Sequence, residues 1–335
     1  MPGPTVTILC GGFGAARFLP GLVAAVGDAG EVTAIVNTGD DTEFHGLHVC
    51  PDLDSVLYAL AGCFDETRGW GPESDSFHVH AALRRYGSDW FTVGDQDLAL
   101  HLRRTELLRA GATLTGATRA IAAAWGVRSA LLPVTDDALA TFVHTADGTL
   151  SLQEYLVVHR AGPAVTGVEY VGAEQARATP EVLAAIEGAE IVVLAPSNPV
   201  ISLGPILAVP AVHDALVARR GPTVAVSPVV VSARARTAAE DQRYRARASL
   251  MGGCGLPHRP SAVADLYAPY IDGFVVDERD RDEAREMANL GVPVLKADTL
   301  APPGPARSVL AGRVLAFARD LAAANGPGPY SRPTR

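Results

Sequence analysis

The feature that most limits what this chain can fold into is a repeated order: a short apolar run, a turn of small residues, then a helix-like stretch. Thr5 to Cys10 (TVTILC) is β-branched and apolar, ends in Gly11-Gly12-Phe13-Gly14, and feeds a helical run from Ala15 to Val26. Val32 to Val36 leads into Asn37-Thr38-Gly39 and then, past a polar loop, into a helix reaching about Ala61. Glu190 to Ala195 ends at Pro196-Ser197-Asn198-Pro199, and Thr223 to Val226 ends at Ser227-Pro228. Gly273 to Val276 runs into Asp277, and Val292 to Leu295 precedes a last helix, Arg307 to Ala323. Continuous apolar runs separated by helices belong to strands covered on both faces, which predicts an α/β fold with a mostly parallel sheet flanked by helices. Ligands of such sheets sit beyond the carboxyl ends of the strands, so the residues that follow each strand are the ones to read for chemistry.

The middle of the chain departs from this order. Helices at Leu98 to Ala110 and Thr115 to Trp125 and a strand at Ser129 to Val134 precede alternating stretches at Ala140 to Thr145, Thr149 to Leu152 and Val165 to Val171. Alternation of this kind predicts antiparallel hairpins. The expected organisation is a core of residues 1–65 and 178–324, an insertion over 66–177, and a Pro/Gly-rich, disordered tail over 325–335. A hydrophobic fraction of 48% over 335 residues is enough for a substantial core. The net charge of −9 argues against nucleic acid as a partner. No apolar run is long enough to cross a bilayer, and the first residues do not read as a signal peptide. Cys10, Cys50, Cys63 and Cys254 form no CxxC pair and are expected as buried thiols in a reducing cytoplasm. Lys296 is the only lysine, far from the opening motifs, which sets aside lysine-based phosphate or Schiff-base chemistry.

Asp40, Asp41, Asp52 and Asp54 fall within about fifteen residues, all near strand or helix ends. Carboxylates this dense repel one another, and burying them uncompensated is costly. A hard cation such as Mg²⁺, completed by substrate phosphates, resolves the repulsion; for Asp52 alone, N-capping of the helix is an equally good explanation. The glycine turn before the first helix can cradle a phosphate with its backbone N–H groups. It is not the dinucleotide fingerprint, because Arg17 stands where the third glycine would be and Asn37 replaces the ribose-binding acid; nor is it a P-loop. Arg17 is either a phosphate contact or a surface arginine.

Other candidates each have an ordinary explanation beside the functional one. Trp70, between Gly69 and Gly71, is a platform for a planar ring or a loop anchor. Asp95 is a natural N-cap for the helix that follows. Ser197 and Asn198 suit a phosphate or sugar contact, or the capping of the next helix. The arginines from Arg234 to Arg247 suit an anionic ligand or a solvated helix face. His45, His48, His78 and His80 lack a third nitrogen or sulfur ligand at usable spacing for zinc.

Together, GGFGAARFLPGL, TAIVNTGDDTEFHGLHVCPDLDSVLYAL, GDQDLALHLRRTELLRAG, LAPSNPVISLGPIL and VSPVVV resemble the 2-phospho-L-lactate transferase family, whose bacterial branch is the phosphoenolpyruvate transferase of coenzyme F-420 biosynthesis. The resemblance implies a Rossmann-like core and a homodimer. It also implies Mg²⁺-dependent transfer of a phosphorylated three-carbon acid from a guanosine-diphosphate-linked donor to the ribitol hydroxyl of the deazaflavin Fo, with release of GMP. Carried onto this chain, it implies metal at Asp40, Asp41, Asp52 and Asp54, with Asp54 and Asp41 catalytic. It puts the donor against Gly11, Gly12, Gly14, Asn37, Ser197, Asn198 and Ser227, and Fo against Asp54, Thr92, Asp95 and Trp70. Gln96 stands where the family commonly has arginine, and Ser232-Ala233-Arg234-Ala235-Arg236 replaces an expected glycine- and proline-rich segment; both put donor specificity in question. The competing expectation is a non-catalytic regulatory protein of the same fold that binds nucleotides or sugar nucleotides.

Overall fold

The computed structural model describes residues 3–88, 90–233, 237–289 and 291–324. In chain order the strands are β1 (Thr5–Cys10), β2 (Glu31–Val36), β3 (Thr42–Phe44), β4 (Leu47–Val49), β5 (Ala130–Pro133), β6 (Ala140–Thr145), β7 (Gly148–Ser151), β8 (Val165–Val171), β9 (Ile191–Leu194), β10 (Thr223–Val226), β11 (Gly273–Asp277) and β12 (Val294–Ala297). The helices are α1 (Gly12–Val26), α2 (Pro51–Leu60), α3 (His78–Leu83), α4 (Asp95–Arg109), α5 (Leu114–Ala124), α6 (Pro180–Gly188), α7 (Leu203–Leu207), α8 (Pro210–Ala218), α9 (Ala238–Gly253), α10 (Pro260–Tyr267), α11 (Arg281–Asn289) and α12 (Pro305–Ala324). The expected disordered tail, 325–335, lies outside the described residues, as do Arg234 to Arg236 of the altered segment.

Seven strands form one sheet in the order β12-β11-β10-β9-β1-β2-β5, every pair parallel. Chain order reverses at β1: β2 and β5 lie to one side of it, and β9 to β12 lie to the other. The crevice beyond the ends of β1 and β9 is therefore the topological switch point, where an open α/β sheet leaves room for a ligand. Side chains alternate between the two faces. Ile8, Cys10, Ala34 and Val36 pack into the core under α1, α2 and α12, while Leu9, Ile35, Val192 and Leu194 pack into the core on the other face. Both faces are covered, which is why the strands read as unbroken apolar runs.

The expected α/β class holds. The 66–177 segment, however, is not a block apart from this sheet, because β5 pairs with β2 from Thr33↔Ala130 to Val36↔Pro133. Its apolar residues Leu131 and Leu132 are buried in the cores on the two faces of this sheet. The predicted hairpins do form, as a separate antiparallel sheet in the order β7-β6-β8. Among the described residues no helix is long and apolar enough to cross a membrane. Cys10 and Cys50 are buried as expected and Cys63 partly so, but Cys254 is exposed at the end of α9, where the helix has run past the core.

Candidate functional site

The glycine turn is built by close approach. Gly14 leaves no room for a side chain, since a Cβ there would lie 1.9 Å from the carbonyl oxygen of Pro196. Gly12 has a positive φ of 64°, and a Cβ on Gly11 would lie 2.1 Å from Asp52 Oδ2. These glycines let the start of α1 sit against the loop after β9 and against Asp52 at once. Ser197 locks the arrangement: its hydroxyl donates to Gly11 O at 2.8 Å and accepts from Gly11 N at 3.2 Å. The Gly11 amide and the Ser197 hydroxyl, both expected on the donor, thus hold each other across the switch point. Asn198 and Ser227 are also turned inward on their own loops. Asn198 Oδ1 accepts from Val200 N and Ile201 N, and Ser227 Oγ donates to Val229 O. Their contacts are those of local turns.

The four aspartates do not form one cluster. Asp40 and Asp52 are both buried and face each other beside Asn37, whose Nδ2 donates to Asp52 Oδ2 at 3.0 Å and to Asp40 Oδ1 at 3.5 Å. Burial, then the charges of Asp52 and Asp41, raise Asp40 well above the ordinary carboxylate range. Asp52 is pushed up to about 7 by burial, against the opposing hydrogen bonds from Asn37, Asp40 and Ser202. Asp52 is not a helix cap: Cys50 holds the N-cap position of α2, with no side-chain capping bond. Asp41, close enough for its charge to act on both Asp40 and Asp52, turns its own carboxylate toward His48 and Cys50. Its Oδ2 lies 3.2 Å from His48 Nε2 and accepts from Cys50 Sγ at 3.1 Å, while its Oδ1 is buried and unpartnered. Burial raises Asp41, and the contacts with His48 and Cys50 work the other way. The donors of Asp41, His48 and Cys50 all lie within 4.8 Å of one another, so His48 finds companions in its own loop. His78 lies away from this group, with its Nδ1 3.0 Å from Asp95 Oδ2.

Asp54 corrects the reading most sharply. Both of its oxygens are held by Arg104, Oδ2 at 3.1 Å from Nη1 and Oδ1 by Nη2, and Arg104 is only 2% exposed. His101 lies between Asp54 and Asp97, its ring nitrogens 3.6 Å from each carboxylate, and Tyr58 donates to Asp97 at 2.7 Å. Burial works to raise Asp97, but His101, Tyr58 and Arg104 carry it below the usual range. A fork-on-fork pair with guanidinium matches the charge of Asp54 without a metal. The cause is helical geometry: at about 100° per residue, positions two apart point to opposite sides, so Asp52 and Asp54 cannot share a site. Arg104 and His101 went unread in the sequence although a signal was there. Asp97, His101 and Arg104, spaced four and three apart, put three polar groups on one face of a helix where a core-facing stripe would be apolar.

The residues expected around Fo are placed as follows. Asp95 does not cap its own helix. Its carboxylate accepts from His78 N and Val79 N and so caps α3, whereas Asp75 accepts from Gln96 N and Asp97 N and caps α4. Trp70 meets Phe77 edge-on, with the Arg68 guanidinium 4.8 Å from its ring centre. Trp70 and Asp95 therefore meet the same short stretch, Phe77-His78, while Thr92 is exposed in the loop before α4. A cleft that the sequence did not mark lies between Gly39–Thr42 and the antiparallel sheet, where Ala140–Phe142 and Ser151–Gln153 line it opposite Asp40 and Asp41.

A parallel sheet with a glycine turn at its switch point and buried carboxylates beside that turn defines an open α/β protein with a ligand site at the carboxyl edge of its strands. Comparison with known proteins narrows this. Residues 6–300 match the family described as 2-phospho-L-lactate transferase CofD, and the chain belongs to that family of transferases. It is 40% identical over 318 residues to a phosphoenolpyruvate transferase of Kitasatospora aureofaciens, covering 91% of this chain and 97% of that one. It is 38% identical over 334 residues to a phosphoenolpyruvate transferase of Mycobacterium ulcerans, covering 93% and 98%. A crystal structure of a UPF0052 family member from Bacillus halodurans shares the fold, with a TM-score of 0.60 at 17% identity over 94% of this chain and 99% of that one.

Proposed function

We propose that the chain is a transferase of coenzyme F-420 biosynthesis. It moves a phosphorylated three-carbon acid, enolpyruvyl phosphate by preference, from a guanosine-diphosphate-linked donor to the ribitol hydroxyl of Fo, with release of GMP. The observation that carries this reading is the Asp40/Asp52 pair: two buried, mutually repelling carboxyls, with a neutral amide between them, packed against a glycine turn. Residues this similar to phosphoenolpyruvate transferases along nearly the whole chain support the same reaction class.

The donor set fits Mg²⁺, which takes oxygen ligands and relies on one or two carboxylates plus substrate phosphates. Asp40 and Asp52 would hold it, with the unpartnered Asp41 Oδ1 adjacent; the charge of Asp54 is already matched by Arg104. When bound, the ion supplies charge neutralisation at the phosphate under attack. The chain's own residues do the rest. The α1 N-terminus receives a phosphate with its amides. The acceptor hydroxyl approaches from the side of Gly39–Thr42, and Asp41 Oδ1 takes its proton, with His48 Nε2 at 3.2 Å from the other oxygen of that carboxylate. Asp54, through Arg104, fixes the start of α2 and hence the position of Asp52. The reading assigns a homodimer in the cytoplasm, and its test is the product. Fo incubated with the enzyme, Mg²⁺ and guanosine diphosphate esterified to three-carbon acids is expected to gain the mass of one enolpyruvyl phosphate less water. Unchanged Fo with every donor overturns the reading.

A further inference from the structure

Across the glycine turn from the carboxylates lies a cluster of the opposite charge. The Phe13 ring of that turn carries two guanidinium groups: Arg243 Cζ is 4.0 Å and Arg17 Cζ 5.5 Å from its centre. Arg243 also closes on Gly69, where a Cβ would lie 2.7 Å from its Nη1. One helical turn further along α9, Arg247 donates from Nε to His258 Nε2 at 3.1 Å, and Tyr244 meets the His258 ring edge-on at 4.6 Å. Arg17 has Glu66 at 3.5 Å, but Glu66 is gripped by Arg307 through both of its oxygens. Among the described residues no carboxylate lies within ion-pair distance of Arg243 or Arg247, although both are partly buried.

Gathering like charges away from water with too few carboxylates to match them is unfavourable unless a ligand supplies the missing charge. Burial, then Arg17, lowers Arg243 despite the opposing charge of Glu240, and burial pushes Arg247 down to about 10, with Arg243 adding to it. Neither contact in place uses up the donors. Stacking on Phe13 covers the face of the Arg243 guanidinium and leaves its in-plane N–H groups free, and His258 takes only the Nε–H of Arg247. To accept that hydrogen bond His258 must be neutral, and burial beside Arg247 holds it so, down to about 4. The free donors form a planar fork of the kind that grips a carboxylate.

We propose that Arg243 and Arg247 form a subsite for the carboxylate of a phosphorylated acid whose phosphate lies at the glycine turn, and that they select such acids over ligands bearing phosphate alone. This rests on the proposed function and names the part of the donor that α9 reads. The test is equilibrium binding by titration calorimetry of the full chain with three probes: phosphoenolpyruvate, inorganic phosphate and guanosine diphosphate. R243Q and R247Q are each expected to weaken phosphoenolpyruvate roughly tenfold, the loss of charge-assisted hydrogen bonds, while the other two change less than about twofold. Equal weakening of all three probes, unchanged phosphoenolpyruvate binding, or no binding by the unaltered chain overturns the subsite. R243K and R247K, which keep the charge and lose the fork, give the same readout if a glutamine variant fails to fold, with an intermediate loss expected. No acceptor is present in these titrations. Arginine-dependent binding without transfer to Fo would therefore break the proposed reaction and leave the subsite standing.

Discussion

Asp52 and Asp54 lie two residues apart at the start of α2 and are both buried, yet one faces a second carboxylate and the other a guanidinium. The helix turns them to opposite sides. On the Asp54 side the charge of the carboxylate is matched by Arg104, with His101, Asp97 and Tyr58 packed behind it in one buried chain. On the Asp52 side it has left two acids facing each other, eased by the neutral donors of Asn37 and Ser202 but with no cation between them. A buried charge with a partner holds the fold together, whereas one without a partner marks where a ligand completes the site.

The sharpest way to break this comparison is to remove a partner on the completed side. Arg104→Met leaves Asp54 buried and unpaired and is expected to destabilise the chain by about 3–5 kcal/mol, read from urea unfolding. A loss below about 1 kcal/mol would mean that the pair does not hold the fold.

The mirror experiment removes a like charge. Asp52→Asn takes one acid out of the repelling pair, so it is expected to fold at least as stably as the parent. Transfer is expected to fall by about 10²–10³, the range typical for deleting one preorganised electrostatic group. Near-normal turnover in a product assay would take Asp52 out of the site.

The pH dependence of stability separates the two sides further. The raised pKa values of Asp40 and Asp52 mean that the folded state binds more protons than the unfolded state between the ordinary carboxylate range and about 7. By linkage their contribution is present at low pH and is lost as pH rises through that window. Asp97, whose pKa is lowered, contributes in the opposite sense, its stability lost as pH falls. The difference in unfolding free energy between the parent and Asp52→Asn is therefore expected to shift in favour of the variant from about pH 4 to 7. Added Mg²⁺ should shrink that shift, and a flat difference would show that the pair is not strained.

The smallest effect concerns the loop that carries α3 and α4. Asp75→Ala removes the side-chain cap from Gln96 N and Asp97 N and is expected to lower stability by about 1 kcal/mol, with the transfer reaction unchanged. A larger loss accompanied by loss of activity would tie this loop to the buried Asp97–His101–Asp54 chain.

Much of this protein is legible in its residues alone. Apolar strand runs, glycine turns and helix periodicity gave the parallel α/β class and every strand except β3 and β4, because those signals are local and repeat with the geometry of strand and helix. The glycine turn and the acidic stretch from Asp40 to Asp54 were also marked by composition and position, the latter as one group of four aspartates. What the sequence could not supply was partnership. Arg104 meets Asp54 from fifty residues away, Ser197 meets Gly11 from 186 residues away, and Arg243 reaches Phe13 from the far half of the chain. Density of aspartates along the chain suggested a single cluster, but whether a buried charge is matched depends on which distant element packs against it. That choice is made only when the sheet assembles and brings β1, β9 and the helices around them together.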